Sequence, residues 1–200
     1  MEKITKLKHL VREQKKEIRR LLSLVDRDFL TGLYNRQGFI REAEKFFDEM
    51  KSRKIKKKRK ICFENFSLIF IDIDDLKKVN DEYGHKVGDN AIKEASRVFE
   101  KSVRDLDITA RWGGDEFLIG LVGAEEKEAI KIAEKIKRNL RTVKINGSHL
   151  CASFGIVSLE NKKKKNFNLY EMIEKADMAM YTAKKRNGKN FIINYGRFKD

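Results

Sequence analysis

Residues Gly113-Gly114-Asp115-Glu116 separate two apolar runs of strand length, Ile108 to Trp112 and Phe117 to Val122. So short a connection leaves room for a tight turn and nothing more, so the two runs must pair as an antiparallel hairpin. The paired glycines suit the positive φ angles that such turns demand. Three further apolar runs have strand length, Phe66 to Ile71, Leu150 to Leu159 and Phe191 to Tyr195. Between the runs, apolar residues recur at helical spacing: Phe39, Ile40, Ala43, Phe46, Phe47 and Met50; Ile92, Ala95, Phe99 and Val103; Ala129, Ala133, Ile136 and Leu140; Leu169, Ile173, Ala176 and Met180. Four amphipathic helices result, and the connections other than the hairpin pass through helices. The pattern predicts an α/β (α+β) fold, a central mixed five-stranded sheet flanked by helices over residues 26–200.

Ahead of Asp26 the repeat is different. Ile4, Val11, Ile18 and Val25 recur every seven residues, and Leu7, Gln14 and Leu21 fall three places after the first three of them. β-Branched residues at the first core position with Leu at the second favour a parallel two-stranded coiled coil, and a polar Gln14 in the seam limits register at some cost in stability. The expected division is a dimerising helix, residues 1–25, followed by a folded body, residues 26–200.

Charge first suggests a polyanionic partner, with 46 Lys and Arg against 31 Asp and Glu and a net charge of +15. Its distribution argues otherwise. Residues 1–25, 51–60 and 162–165 together carry +17, which leaves the rest of the chain nearly neutral at −2. Neither lysine run has the interleaved aromatics of a nucleic-acid surface, so both read as solvated loops and no specific nucleic acid is expected. At 40% apolar residues the chain has material for a core. The longest uncharged run, Ile145 to Leu159, has 15 residues, several of them polar, and falls short of the roughly 20 that a spanning helix needs. The opening Met-Glu-Lys-Ile-Thr-Lys lacks the apolar stretch of a secretory signal. Cys62 and Cys151 stand apart from each other and from any Cys/His grouping, which excludes a disulfide framework or a zinc site. A cytoplasmic protein without a membrane span is expected.

Carboxylates gather at two strand ends. In FSLIFIDIDD, Asp72 and Asp74 are two residues apart and share a face if the strand runs through both. Asp115 and Glu116 occupy the hairpin. A strand-tip pair facing a hairpin-tip pair supplies the hard oxygens that Mg²⁺ needs when it also binds substrate phosphates. Asp75, just before the helical stretch Leu76 to Glu82, reads as a helix cap. Gly113 and Gly114 let a base or phosphate approach the hairpin backbone. In NDEYGHKVGDN, Gly84 and Gly88 break an otherwise helical stretch, and Asn80 with Asp89 matches the donor and acceptor pattern of a guanine edge, whose N1 and N2 hydrogens a carboxylate can accept. His85 reads as a hydrogen-bonded loop residue.

These motifs occur in the order found in GGDEF domains, which the chain resembles from residue 26 to about 194: Asp28-Phe-Leu-Thr-Gly-Leu-Tyr-Asn-Arg36, Asp72-Ile-Asp, Lys77, Asn80-Asp81, Gly84-His85-x-x-Gly88-Asp89, Arg111-Trp-Gly-Gly-Asp-Glu-Phe117 and Tyr181-x-Ala-Lys184. The resemblance implies a diguanylate cyclase, which condenses two GTP into cyclic di-GMP with release of two pyrophosphates, on a sheet similar to the palm of nucleotide cyclases and polymerases. It implies Mg²⁺ or Mn²⁺, two ions per active site, held by the side chains of Asp72 and Asp115 and the carbonyl of Ile73, with Glu116 as a further metal ligand or base. Asn80 and Asp89 would read guanine, Lys77 would contact phosphate or brace the acidic loop, and Arg111 matches the basic residue before the Gly-Gly pair. Lys184 or Lys185, together with Lys189, would reach the triphosphate, the motif here being one residue longer than the family's. Arg104 and Asp107 fall at the offset of the family's product-inhibition site, so feedback by cyclic di-GMP is implied. One GTP per chain makes a homodimer through residues 1–25 part of the same expectation. A catalytically silent receptor for GTP or cyclic di-GMP is the alternative, and its usual mark, loss of an acidic ligand, is absent.

Overall fold

The computed structural model describes residues 2–51, 65–160, 168–185 and 190–197; the lysine runs at 52–60 and 162–165, together with Cys62 and Lys189, lie outside them. A helix α1 (Glu2–Val25) leads into α2 (Arg36–Lys51). Then follow β1 (Asn65–Ile73), α3 (Leu76–Tyr83), α4 (His85–Ser102), β2 (Ile108–Gly113), β3 (Glu116–Val122), α5 (Glu126–Leu140), β4 (Lys144–Ile145), β5 (Ser148–His149), β6 (Ala152–Glu160), α6 (Leu169–Lys185) and β7 (Ile192–Asn194). The main sheet has the order β2-β3-β1-β6-β7. β1 lies at its centre, antiparallel to β3 and β6, and β7 runs parallel to β6. The expected mixed five-stranded sheet is therefore present.

Alternation along β1 sorts the core into two layers. Phe66, Leu68 and Phe70 pack with Phe39, Ala43 and Phe47 of α2 and with Met172, Ile173, Ala176 and Met180 of α6. Ile69, Ile71 and Ile73 face the other way, onto Ala95 and Phe99 of α4 and Ala133 and Ile136 of α5. The same period places Asp72 on the α6 side. Gly155 of β6 brings α6 down onto the sheet, because a Cβ there would lie 2.0 Å from the Ala176 carbonyl oxygen and 2.3 Å from the Met180 nitrogen. Close helix–sheet contact at that point carries the last turn of α6 over the tip of β1.

Several local expectations are corrected. Neither Gly113 nor Gly114 has a positive φ. The register steps from Arg111 opposite Phe117 to Gly113 opposite Glu116, so Trp112 is an extra residue, a β-bulge, and the turn proper is Gly114-Asp115. The twist that positive φ angles would have supplied comes with the bulge instead. Gly88 does not break a helix. It is buried within α4, and only Gly84, at φ 83°, separates α3 from α4. Asp75 stands at the N-cap position of α3 in the left-handed conformation, but its side chain makes no capping hydrogen bond; it pairs with Lys78 at 3.1 Å. The hairpin β4–β5 was not expected from apolar runs, since each strand is two residues long; its signal is the turn Asn146-Gly147, with φ 46° and 85°.

Along α1, Ile4, Leu7, Val11, Leu21 and Val25 are all exposed in the single chain. The helix end is tied to the body. The Asn35 side-chain amide donates to the Val25 carbonyl at 2.5 Å, while its oxygen accepts from the Gly38 amide at 3.0 Å and so caps α2. Arg41 pairs with the buried Asp26 at 2.6 Å.

Candidate active site

Asp72 and Glu116 are directly opposite each other on β1 and β3. Asp115, at the turn, accepts a backbone hydrogen bond from Ile73 at 3.1 Å, which pins the hairpin tip to the end of β1. The strand ends at Ile73, so the condition for Asp74 to continue it is not met. The Asp74 amide donates to the Cys151 carbonyl at 2.9 Å, and its carboxylate accepts from the Ser153 hydroxyl at 2.9 Å. Asp74 thus secures the start of β6 and leaves Asp72, Asp115 and Glu116 as the acidic group. Lys184, on the last turn of α6, brings its Nζ to 2.5 Å from Asp72 Oδ1. Lys185 lies over the Tyr181 ring instead, 4.5 Å from its centroid. Of the two lysines that spacing left open, Lys184 is the one at the site.

Burial first, and neighbouring carboxylates after it, raise two of these groups, Asp72 and Glu116. Burial pushes the Asp72 carboxyl up from 3.8 to about 6; Lys184 opposes the shift, and the charges of Asp115 and Glu116 add to it. Glu116 is also raised, first by burial, then by Asp177 and Asp115, with Lys184 and Arg36 opposing. Such shifts are common where a fold concentrates like charge for a purpose.

A divalent cation fits this group. Asp72 Oδ1 is buried and faces the Lys184 ammonium at 2.5 Å. Among the described residues no group of three or more His, Cys, Asp or Glu side chains is placed to hold a metal ion; Asp72, Asp115 and the Ile73 carbonyl offer two carboxylates and one backbone oxygen. The donors are hard oxygens, few in number, which suits Mg²⁺ or Mn²⁺ completing their shells with phosphate oxygens and water. Asp72, Asp115 and the Ile73 carbonyl are the groups that would hold them.

The hairpin is braced from a residue far away in sequence. Arg111 donates from Nε and Nη2 to the Gly114 carbonyl at 3.0 and 2.8 Å, and its Nη1 pairs with Asp28 at 3.3 Å. Asp28 is fixed in turn by the Thr31 amide and hydroxyl at 2.9 and 2.7 Å. Arg111, expected in the catalytic set, directs these donors at the turn and at Asp28. Trp112 packs edge-on against Phe39 and Phe70 and carries Arg36 stacked 4.6 Å from its ring centroid. A cavity of about 420 Å³ beside the turn is lined by Asp28, Arg36, Arg111, Trp112, Gly113 and Gly114, among others. A Cβ on Gly113 would lie 3.4 Å from the Glu116 carboxylate, an ordinary van der Waals distance.

The remaining expected residues fall in two places. Asn80 on α3 lies against Gly88, whose missing side chain makes the room: a Cβ there would sit 1.8 Å from Asn80 Oδ1. Asp89 follows Gly88 on α4 and is exposed. Lys77 is exposed in the first turn of α3, next to the β1 tip. At the far end of α4, Arg104 and Asp107 form a tight turn in which Asp107 accepts from the Arg104 amide at 2.9 Å and from the Val122 amide at 3.1 Å. Arg104 itself projects into solvent, with its guanidinium 3.8 Å from Glu128. Sequence reasoning missed the roles of Asp28, Asn35 and Ser153, whose partners are set by tertiary contact; only Asp28 and Asn35 fall within a quoted motif.

A family model described as diguanylate cyclase, GGDEF domain, matches residues 25–190. Diguanylate cyclase DgcM of Escherichia coli K12 is 31% identical over 186 residues, which cover 92% of this chain and 42% of that protein. The chain spans less than half the length of the curated relatives it matches. Among solved structures, the coiled coil and GGDEF domain of DgcB from Caulobacter crescentus, in complex with c-di-GMP, superposes with a TM-score of 0.75 at 21% identity, covering 96% of this chain and 97% of that one; at that identity the likeness concerns the fold. The diguanylate cyclase SiaD of Pseudomonas aeruginosa, in complex with its activator SiaC, gives a TM-score of 0.70 at 28% identity, covering 96% and 72%. No described helix is long and apolar enough to cross a membrane.

Proposed function

Because the chain belongs to the GGDEF diguanylate cyclase family, we propose that it condenses two GTP into cyclic di-GMP and two pyrophosphates. The observation that carries the reading is the opposition of Asp72 and Glu116, with Asp115 pinned to the β1 tip and Lys184 above. Each half-reaction forms one bond, from a ribose 3′-oxygen to an α-phosphorus, and breaks one, the α–β phosphoanhydride. Glu116, raised by burial, is suited to accept the proton of the 3′-hydroxyl. Lys184 and Lys189 meet the triphosphate, Lys77 contacts phosphate or braces the acidic loop, and Asn80 and Asp89 select guanine over adenine, the carboxylate accepting from its N1 and N2 hydrogens. Mg²⁺ or Mn²⁺, two ions per site, when bound supplies positive charge at the α-phosphate and the leaving pyrophosphate.

Residues 1–25 form the dimerising segment in this reading and residues 26–200 the catalytic body. With one GTP per body, pairing of the exposed seam of α1 supplies the proximity that the condensation requires. Product inhibition at Arg104 and Asp107 belongs to the same proposal, as does a place in the cytoplasm with its GTP. Incubation with GTP and Mg²⁺, followed by chromatographic separation, should yield cyclic di-GMP. Bound but unconverted GTP at high protein concentration would refute the activity. Asp115→Asn should abolish synthesis while circular dichroism stays unchanged, since the turn is exposed to one side and its backbone contacts survive.

A further inference from the structure

Lys184 sits in a position that a phosphate ligand alone does not explain. Its ammonium lies 2.5 Å from Asp72 Oδ1, on a carboxylate whose side chain is 8% exposed, while the lysine side chain is 34% exposed and so retains a path to solvent. The contact is a close ion pair between an ammonium and a carboxylate. Asp115 and Glu116 add two further negative charges within electrostatic reach of Asp72. Without a cation here the folded site would hold three mutually repelling carboxylates. A divalent ion bound at roughly 2 Å from a carboxylate oxygen and an ammonium at 2.5 Å from the same oxygen repel each other strongly, so the two occupants exclude one another. The lysine stem has four rotatable carbons and a compact charge, the features of a side chain that can change partners.

We propose that Lys184 is an exchangeable counter-ion: it neutralises Asp72 until a divalent metal takes that carboxylate, and the released ammonium then binds the nucleotide's triphosphate. Metal and nucleotide binding are thereby coupled through one side chain. The inference rests on the metal reading given above and assigns Lys184 a second role, opposite in sign to the first. A lysine that only grips phosphate leaves the affinity for metal alone unchanged when removed. A counter-ion, when removed, leaves a site that binds metal more tightly and nucleotide more weakly.

The test uses the full chain and Mn²⁺ as probe, with free Mn²⁺ counted by electron paramagnetic resonance in the absence of nucleotide. Lys184→Met and Lys184→Gln should bind Mn²⁺ about tenfold more tightly than the wild type, the scale of one charge at close range. Lys184→Arg, which keeps the cation, should restore the weaker binding. In saturating Mn²⁺, the α,β-methylene analogue of GTP should bind about tenfold more weakly to the Met and Gln variants. Asp72→Asn separates the two levels of the argument. If it abolishes Mn²⁺ binding while the lysine variants bind no more tightly than the wild type, the counter-ion role is overturned and the metal site stands. If Asp72→Asn binds Mn²⁺ as well as the wild type, both are overturned. A measurement on the unaltered chain guards against misfolded variants: Mg²⁺ alone should speed acetylation of Lys184 several-fold, as read by mass spectrometry against the exposed Lys185. An unchanged rate overturns the proposal.

Discussion

Asp72→Asn should stabilise the folded protein while removing its activity, and the size of the gain follows from the site. The Asp72 carboxyl is raised from 3.8 to about 6, with the opposing pull of Lys184 already included. A difference of roughly two units at 1.36 kcal/mol each means that ionised Asp72 costs the folded state about 3 kcal/mol. Because the folded value lies above the unfolded one, the cost is complete above pH 6, shrinks as the pH falls towards 3.8, and is absent below that. Asn carries no charge at any pH. Its partner Lys184 is one-third exposed and can turn to water, so no buried charge is stranded. Urea denaturation of both proteins at pH 8, 6 and 4.5 should show the variant ahead by about 2–3 kcal/mol at pH 8, with the lead narrowing at pH 4.5. In thermal melts at pH 8 that corresponds to roughly 4–12 °C for a chain of this size. A variant equal to or weaker than the wild type at pH 8, or a lead independent of pH, would refute the reasoning, because the Asp72–Lys184 pair would then be a net source of stability.

Three further expectations concern glycines and the distal turn. Gly155→Ala should cost about 1–3 kcal/mol by forcing α6 off the sheet and should lower turnover by displacing Lys184; denaturation and product assays check both. Gly88→Ala should push the Asn80 amide aside, which weakens GTP binding in calorimetry without altering Mn²⁺ binding. Arg104→Ala should relieve inhibition by cyclic di-GMP at unchanged stability, whereas Asp107→Ala should also destabilise by about 1–3 kcal/mol by stranding the Arg104 and Val122 amides; inhibition curves and urea melts of the two separate recognition from scaffolding.

What was legible in the sequence is what local spacing controls. Strand-length runs were enough for the five-stranded sheet, and alternation along Phe66 to Asp72 puts Asp72 on the face of Phe66, Leu68 and Phe70. The two carboxylate clusters were legible because each lies within a few residues of a strand end. The choice between Lys184 and Lys185 was not, since adjacent helix positions point about 100° apart and only the close seat of α6 on Gly155 decides which one meets the sheet. The brace between Asp28 and Arg111 spans 83 residues, so no periodicity announces it. Gly88 misled for a related reason: glycine in a helix reads as a break, while its cause here is the side chain of Asn80 on another helix. The Gly113-Gly114 pair misled because the bulge at Trp112, invisible in the pattern, supplies the twist.

The Asn35 carboxamide, which clasps the last carbonyl of α1 and the first turn of α2 together, removes slack from the ten-residue connection between them. Where two copies pair along α1, the distance between catalytic bodies is therefore metered by the helices: sliding one helix by a heptad displaces its body by about 10 Å along the shared axis. In the proposed dimer one heptad of sliding is thus a large step against the reach of a single site, and Gln14, the single polar residue in the seam, is the residue that limits which register is taken.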